Sequence, residues 1–326
     1  MSTTRRIRWL PVSPHPRRLR SVVSSIGAVT ALSVLVAGCA SGPDETPGAP
    51  AASTSAGCST DSPSRAAGAA PVPIAPATVT IVDAGTGERR VPTTAPDVAT
   101  AQSVTLVTTS EVASPGTSDA QTVEMPLTAR FGCADPADLE LDLGTVTSPD
   151  TTLNDELSAM TGAKAGLTLG PGLAPVSLRI APPEPAGGEA RLAVEQALVS
   201  AFNAAVVLPT EPIAVGATWR SERVIAAAAT VTQTIEARLT GWDGNRLTIE
   251  YTADETPVNS VFAIPGGSDS LTISRYSYTG QGSVTVDLTR GLPIAGEATY
   301  RGARELVGAD PNRPLVQRTG LSVTWR

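Results

Sequence analysis

Few residues in this chain have the type and spacing to do chemistry. Asp135, Asp138, Glu140 and Asp142 bring four carboxylates close together, the raw material of an oxygen-ligand calcium site or of paired-carboxylate hydrolysis. Their spacing is not that of an EF-hand, and alternation with Leu139, Leu141 and Leu143 puts Glu140 and Asp142 on the solvent face of a strand, so no metal is expected. Ser268 and Ser283 follow glycines but lack a G-x-S-x-G setting. Gly85-Thr86-Gly87 and Gly266-Gly267 do not sit between an apolar strand and a helix, as a phosphate loop must, and read as turns. Trp219, Trp242, Trp325 and Phe202 can plug a core or line a ligand cavity. The only histidine is His15.

The N-terminus decides whether that histidine counts. Arg5, Arg6, Arg8, Arg17, Arg18 and Arg20 precede an uncharged run over 21–38, with no acidic residue among them. This is a basic n-region and an apolar h-region, short and rich in small residues for a permanent spanning helix of about 20 residues. The run ends in Leu35-Val36-Ala37-Gly38-Cys39, which resembles the lipobox of bacterial lipoproteins. The resemblance implies cleavage before Cys39, lipid on its thiol, and anchoring to the outer, extracytoplasmic face of the cell membrane. An uncleaved anchor with an incidental cysteine is the alternative, and either one places the remainder outside the cytoplasm. Arg5-Arg6 and Arg17-Arg18 permit a twin-arginine reading without a convincing motif, so the general secretory route is favoured.

Cleavage removes six of the 24 basic residues and none of the 31 acidic ones, leaving 18 against 31 and a formal charge of −13. Such a chain does not bind nucleic acid through bulk charge. It also loses His15, and with it the usual routes to an activated serine or cysteine and most zinc sites. No catalytic residue and no cofactor is expected. Cys58 and Cys133 remain in an oxidising compartment without C-x-x-C spacing, and most simply pair as a disulfide worth about 2–4 kcal/mol.

The elements that would position these residues are mostly strands. Residues 40–76 are Ser, Thr, Ala, Pro and Gly with almost no large apolar side chain, which predicts a disordered tether. From residue 77 to 326 the signal is period two: Val123-Met125-Leu127-Ala129-Phe131, Leu139-Leu141-Leu143, Val176-Leu178-Ile180, Ile235-Ala237-Leu239, Leu247-Ile249-Tyr251 and Val284-Val286-Leu288, each interleaved with polar residues. One apolar and one polar face predict antiparallel sheet. Gly241-Trp242-Asp243-Gly244-Asn245 predicts a hairpin. One long amphipathic helix is expected over 189–206 and a weaker one over 153–160. The expected fold is α+β, predominantly a curved antiparallel sheet covered on one face, with strand groups 77–185 and 208–326 as two similar halves joined by the helix.

Two longer phrases carry a second likeness. Leu208-Pro209-Thr210-Glu211-Pro212-Ile213-Ala214-Val215-Gly216-Ala217-Thr218-Trp219 follows the helix, and Gly282-Ser283-Val284-Thr285-Val286-Asp287-Leu288-Thr289-Arg290-Gly291-Leu292-Pro293 comes later. Together they resemble a family of uncharacterised secreted and lipid-anchored bacterial proteins, over about 157–326, and imply no activity. The lipobox, tether, one-sided sheet and helix are also similar, in architecture alone, to mycobacterial lipoproteins that carry acylated glycolipids.

The expectation is a membrane-anchored lipoprotein with a non-enzymatic binding or envelope-scaffolding role. Its partners would be the membrane, through lipid on Cys39, and an envelope protein or a glycolipid. Glycolipid carriage is the alternative and requires an apolar cavity of several hundred Å³. A hydrolase using two facing carboxylates stands behind both.

Overall fold

The computed structural model describes residues 57–183, 186–264 and 267–326. The leader, Cys39, residues 40–56 of the expected tether and Gly266 lie outside the described residues.

Short helices α1 (Pro63–Ala66) and α2 (Thr151–Leu157) and one longer helix, α3 (Gly188–Asn203), accompany thirteen strands. The strands are β1 (Val72–Pro73), β2 (Thr78–Asp83), β3 (Gln102–Ser114), β4 (Thr117–Phe131), β5 (Asp138–Leu143), β6 (Lys164–Gly170) and β7 (Ala174–Ala181), then β8 (Thr218–Ile225), β9 (Ala229–Asp243), β10 (Arg246–Ala263), β11 (Ser270–Asp287), β12 (Ala295–Val307) and β13 (Leu315–Trp325). They form one sheet in the order β1-β7-β6-β5-β4-β3-β13-β12-β11-β10-β9-β8-β2. The fold is thus mostly antiparallel sheet, and the sheet is not closed. Both strand groups belong to it, because the last strand pairs with β3, from Trp325 opposite Leu106 to Arg318 opposite Ala113.

The alternation read in the sequence is the alternation of burial. Val123, Met125, Leu127, Ala129 and Phe131 of β4 face the core, as do Ile235, Ala237 and Leu239 of β9. The β9–β10 hairpin turns at Gly244-Asn245, where Gly244 takes a φ of 55° that a side chain would resist. Asp150 caps α2, accepting from the Thr152 and Leu153 amides at 2.8 and 3.1 Å.

The structure corrects the expected long amphipathic helix. α3 ends at Asn203, and from Leu192 onward each of its residues is buried or half-buried. Four of its seven buried residues are the alanines Ala190, Ala193, Ala197 and Ala201, and Val199 lies on the opposite side, so apolar and polar faces contrast little. Apart from its exposed first turn, its second side is thus half-covered rather than open to water. The sheet does the covering. Leu167 of β6 and Tyr251 of β10, seven places apart in strand order, line the same cavity beside the end of α3.

The tether is corrected as well. Residues 57–76 hold α1 and β1, and Cys58 is disulfide-bonded to Cys133 with Cα atoms 5.1 Å apart. Bound this way, the segment lies over the outer face of β5 and buries what the sequence had placed in solvent. Glu140 and Asp138 are each only 7% exposed. Arg179 reaches Asp138 at 2.9 Å and Glu140 at 3.6 Å, Arg65 reaches Asp138 at 3.0 Å, and the Ser62 and Ser64 hydroxyls donate to Glu140. Asp142 stays half-exposed between Arg130 and Lys164.

Removing one member of such a buried ionic group leaves the others uncompensated, at a cost of about 3–5 kcal/mol. Arg179→Ala is therefore expected to lower the unfolding free energy by that amount and bring the urea midpoint down with it, whereas Arg220→Ala, whose Glu236 partner is exposed, should change it little. Equal effects in urea denaturation would contradict the network's role.

Candidate functional site

The end of the curled sheet near Trp325 is shut by both long phrases of the sequence. In the first, the Leu208 amide donates to the Gly172 carbonyl at 2.9 Å, Gly216 adopts a φ of 89°, and Trp219, 1% exposed, donates its indole N–H to the Val207 carbonyl at 2.9 Å. In the second, Gln102 holds Leu292 by both backbone groups, donating to its carbonyl at 2.8 Å and accepting from its amide at 3.1 Å. Gly291 is needed there because a Cβ would come within 2.8 Å of Leu139. Asp287 is buried enough to favour its neutral form, but the Thr289 hydroxyl and amide and the Arg246 guanidinium outweigh this and hold its carboxyl below the usual range.

Between that floor and α3 lies a partly enclosed cavity of about 60 Å³. Its walls are mainly apolar, with Ser283 and Glu297 also lining it, and come from both strand groups: Leu167 and Leu169 of β6, Phe202 and Val206 beside α3, Val323 and Trp325 of β13. Its volume is well above the roughly 10–15 Å³ needed to hold a single water, and leaves room for a few waters or a small apolar group. Of the four aromatic residues singled out for a cavity, two meet here, with the Phe202 and Trp325 ring centroids 6.3 Å apart. Trp219 is a core plug. Trp242 stays on the hairpin, with the Arg90 guanidinium 4.4 Å above its ring.

Above the cavity the inner face turns polar, which the sequence reading missed. Arg223 of β8, 3% exposed, donates to the carbonyls of Ala205 at 2.7 Å and Phe202 at 3.4 Å, at the C-terminal end of α3. The negative end of the helix dipole is thus its counter-charge. Burial lowers the guanidinium pKa to about 10, although the nearby Tyr300 hydroxyl works the other way. Gln233, opposite Arg223 in β9, donates to Glu255 at 3.2 Å, and the Tyr276 hydroxyl donates to Glu255 at 2.8 Å. Tyr251, Tyr278 and Tyr300 complete the belt, each directly opposite a glycine: Gly282, Gly302 and Gly280. Each ring occupies the space a Cβ on that glycine would need. Burial raises the hydroxyl pKa of all three tyrosines. The available signal was a polar residue at an apolar phase of the alternation: Arg223 after Trp219 and Ser221, Gln233 between Val231 and Ile235, Glu255 after Tyr251 and Ala253.

Other features of the sequence lead elsewhere. The acidic cluster is split among Arg65, Arg130, Lys164 and Arg179. Gly85 packs against the backbone of Ala214 and Ala217, as a turn. Ser268 is exposed, and Ser283, half-buried on β11, lines the apolar cavity and also reaches the outer face. There it borders an open, polar groove of about 490 Å³ over β9 to β12, with Arg238, Glu250, Gln281, Glu297 and Thr299. Among the described residues no group of three or more His, Cys, Asp or Glu side chains is arranged to hold a metal. No protein-family model matches this chain, and no curated protein matches it significantly.

Glu255 offers a test of the belt. Burial raises its carboxyl pKa, only partly opposed by the Tyr276 and Gln233 hydrogen bonds, and Asp254 adds to the rise. A carboxyl raised on folding contributes stability below the ordinary value of 4.5, and that contribution is lost as pH rises through the folded value. Glu255→Gln, which can still accept from Tyr276, should therefore unfold at higher urea than the parent at pH 8, with the gap narrowing toward pH 4. A gap that widens on acidification would reverse the assignment.

Proposed function

We propose that the chain is a lipid-anchored, extracytoplasmic binding protein with no catalytic role, which takes a small apolar group into the cavity beside the C-terminal end of α3. The observation that carries this is the cavity itself, mainly apolar on its walls and built from strands of both halves around Phe202 and Trp325. Supporting the anchor are the arginine-rich start, the apolar run and the Leu35-Val36-Ala37-Gly38-Cys39 ending. Cys39 and Cys58 are nineteen residues apart in sequence, so the disulfide stands at most about 65 Å from the lipid even along a fully extended chain.

The size of the cavity bounds the ligand. At about 60 Å³ it falls well short of the roughly 300–1,000 Å³ of pockets that enclose drug-sized molecules. It suits the end of an acyl chain or a compact apolar group. Carriage of a whole glycolipid would need α3 and residues 204–208 to withdraw, breaking the Arg223 bonds to Phe202 and Ala205.

Two measurements test this reading. Cys39→Ser should move the protein from the membrane fraction to the soluble one in its native type of host, with loss of the lipid mass; unchanged membrane retention would remove the anchor. Native mass spectrometry of the membrane-extracted wild-type chain should show an apolar adduct of low mass that organic solvent strips away. A bare polypeptide under gentle extraction would instead favour contact with an envelope protein, sought by crosslinking.

A further inference from the structure

Buried polar atoms nearly always find hydrogen-bond partners. Five such atoms have no protein partner among the described residues: Asn203 Oδ1, Ser221 Oγ, Arg223 Nε, Gln233 Oε1 and the Tyr300 hydroxyl. They belong to one neighbourhood. Ser221 and Arg223 share the inner face of β8, Gln233 is the cross-strand partner of Arg223, and Asn203 follows Phe202, whose carbonyl Arg223 contacts. Tyr300 is close enough to Arg223 to interact electrostatically, and the Tyr251 hydroxyl lies beside it without meeting hydrogen-bond geometry. Ser221, Arg223, Gln233 and Tyr300 are all at least nine-tenths buried.

This nook adjoins the apolar cavity without itself lining it. Phe202, Ala205 and Tyr251 line the cavity, while the Phe202 and Ala205 carbonyls hold Arg223 and Tyr251 adjoins Tyr300. An apolar space therefore abuts a guanidinium that forms no ion pair with a carboxylate among the described residues and has a spare N–H, with two hydroxyls beside it.

We propose that the nook is the head-group subsite for a carboxylate, so that the ligand is a small anionic amphiphile whose apolar part enters the cavity. Arg223 Nε and the Ser221 and Tyr300 hydroxyls donate to the carboxylate oxygens, charge-assisted in the first case. The Asn203 and Gln233 amide oxygens accept from a hydroxyl carried by the ligand or by water. This rests on the apolar-cavity reading and adds the charge and polarity of the ligand's other end.

The experiment is calorimetric titration of the full chain at pH 7 with hexanoate, 1-hexanol and acetate. Hexanoate is expected to bind at least about tenfold more tightly than either of the others, as one charge-assisted hydrogen bond would produce. Arg223→Gln removes contacts at the end of α3 and is expected to disturb the fold, so Ser221→Ala and Tyr300→Phe carry the test. Each should weaken hexanoate binding about three- to tenfold and leave hexanol unchanged. Equal binding of hexanoate and hexanol, indifferent to both variants, overturns the head-group subsite and leaves the cavity reading standing. Acetate binding as tightly as hexanoate overturns the amphiphile. Binding by neither six-carbon probe overturns the cavity reading and this proposal with it.

Discussion

Among the described residues, one helix of sixteen residues, with short helices and loops beside it, covers the apolar face of a thirteen-stranded sheet. Apolar surface left in water costs about 25 cal/mol per Å², and strands as long as the eighteen residues of β10 and β11 extend well past the end of a helix about 24 Å long. The sheet meets this shortfall by curling, so that β6 and the C-terminal strands face one another across the end of α3. Where the helix runs out, the inner face becomes polar, and a smaller apolar cluster of Val231, Phe262, Ile273 and Leu306 closes the far end.

The two buried arginines show different ways of holding a charge out of water. Arg179 has carboxylates on Asp138 and Glu140 and hydroxyls on Ser64 and Thr168, so its donors are matched in charge and direction. Among the described residues, Arg223 has the carbonyls at the end of a helix and no carboxylate partner. Partial charges of about half a unit compensate a guanidinium incompletely, and the lowered pKa is the thermodynamic trace of that shortfall. The first arrangement stiffens the fold. The second keeps a directed, positively charged group beside an apolar space.

Legibility in the sequence followed the strength of the alternation. β4, β5 and β9 could be placed because large aliphatic residues recur at every second position, and the cysteine pair because the two thiols had few other fates. β12 was not placed, since Gly296, Gly302 and Arg304 occupy positions where an aliphatic residue would have marked the inner face. β6 was missed for a related reason: Ala165 and Gly166 blur the contrast between its faces. The helix was located yet misjudged, because periodicity reports which side is more apolar and not whether anything covers the other. Phe202 and Trp325 stood out as aromatics in an apolar setting, but the polar belt depends on strands coming together, and no linear spacing encodes that. Residues 57–76 read as unstructured because their order is imposed by a distant cysteine and a buried arginine network.

The pairing of β13 with β3 has an implication for how the molecule comes into being. The seam between the halves is made by the eleven residues of β13, and Arg326 just after it exchanges backbone hydrogen bonds with Thr105 at 2.6 and 3.0 Å. Two strand groups separated by some two hundred positions of chain cannot join until β13 has been made. Contacts of such long range make for slow, late folding. A chain emerging N-terminus first from a ribosome or through a narrow channel therefore stays open until β13 arrives, and a premature stop anywhere in β13 would leave two sheets with raw edges where there should be one.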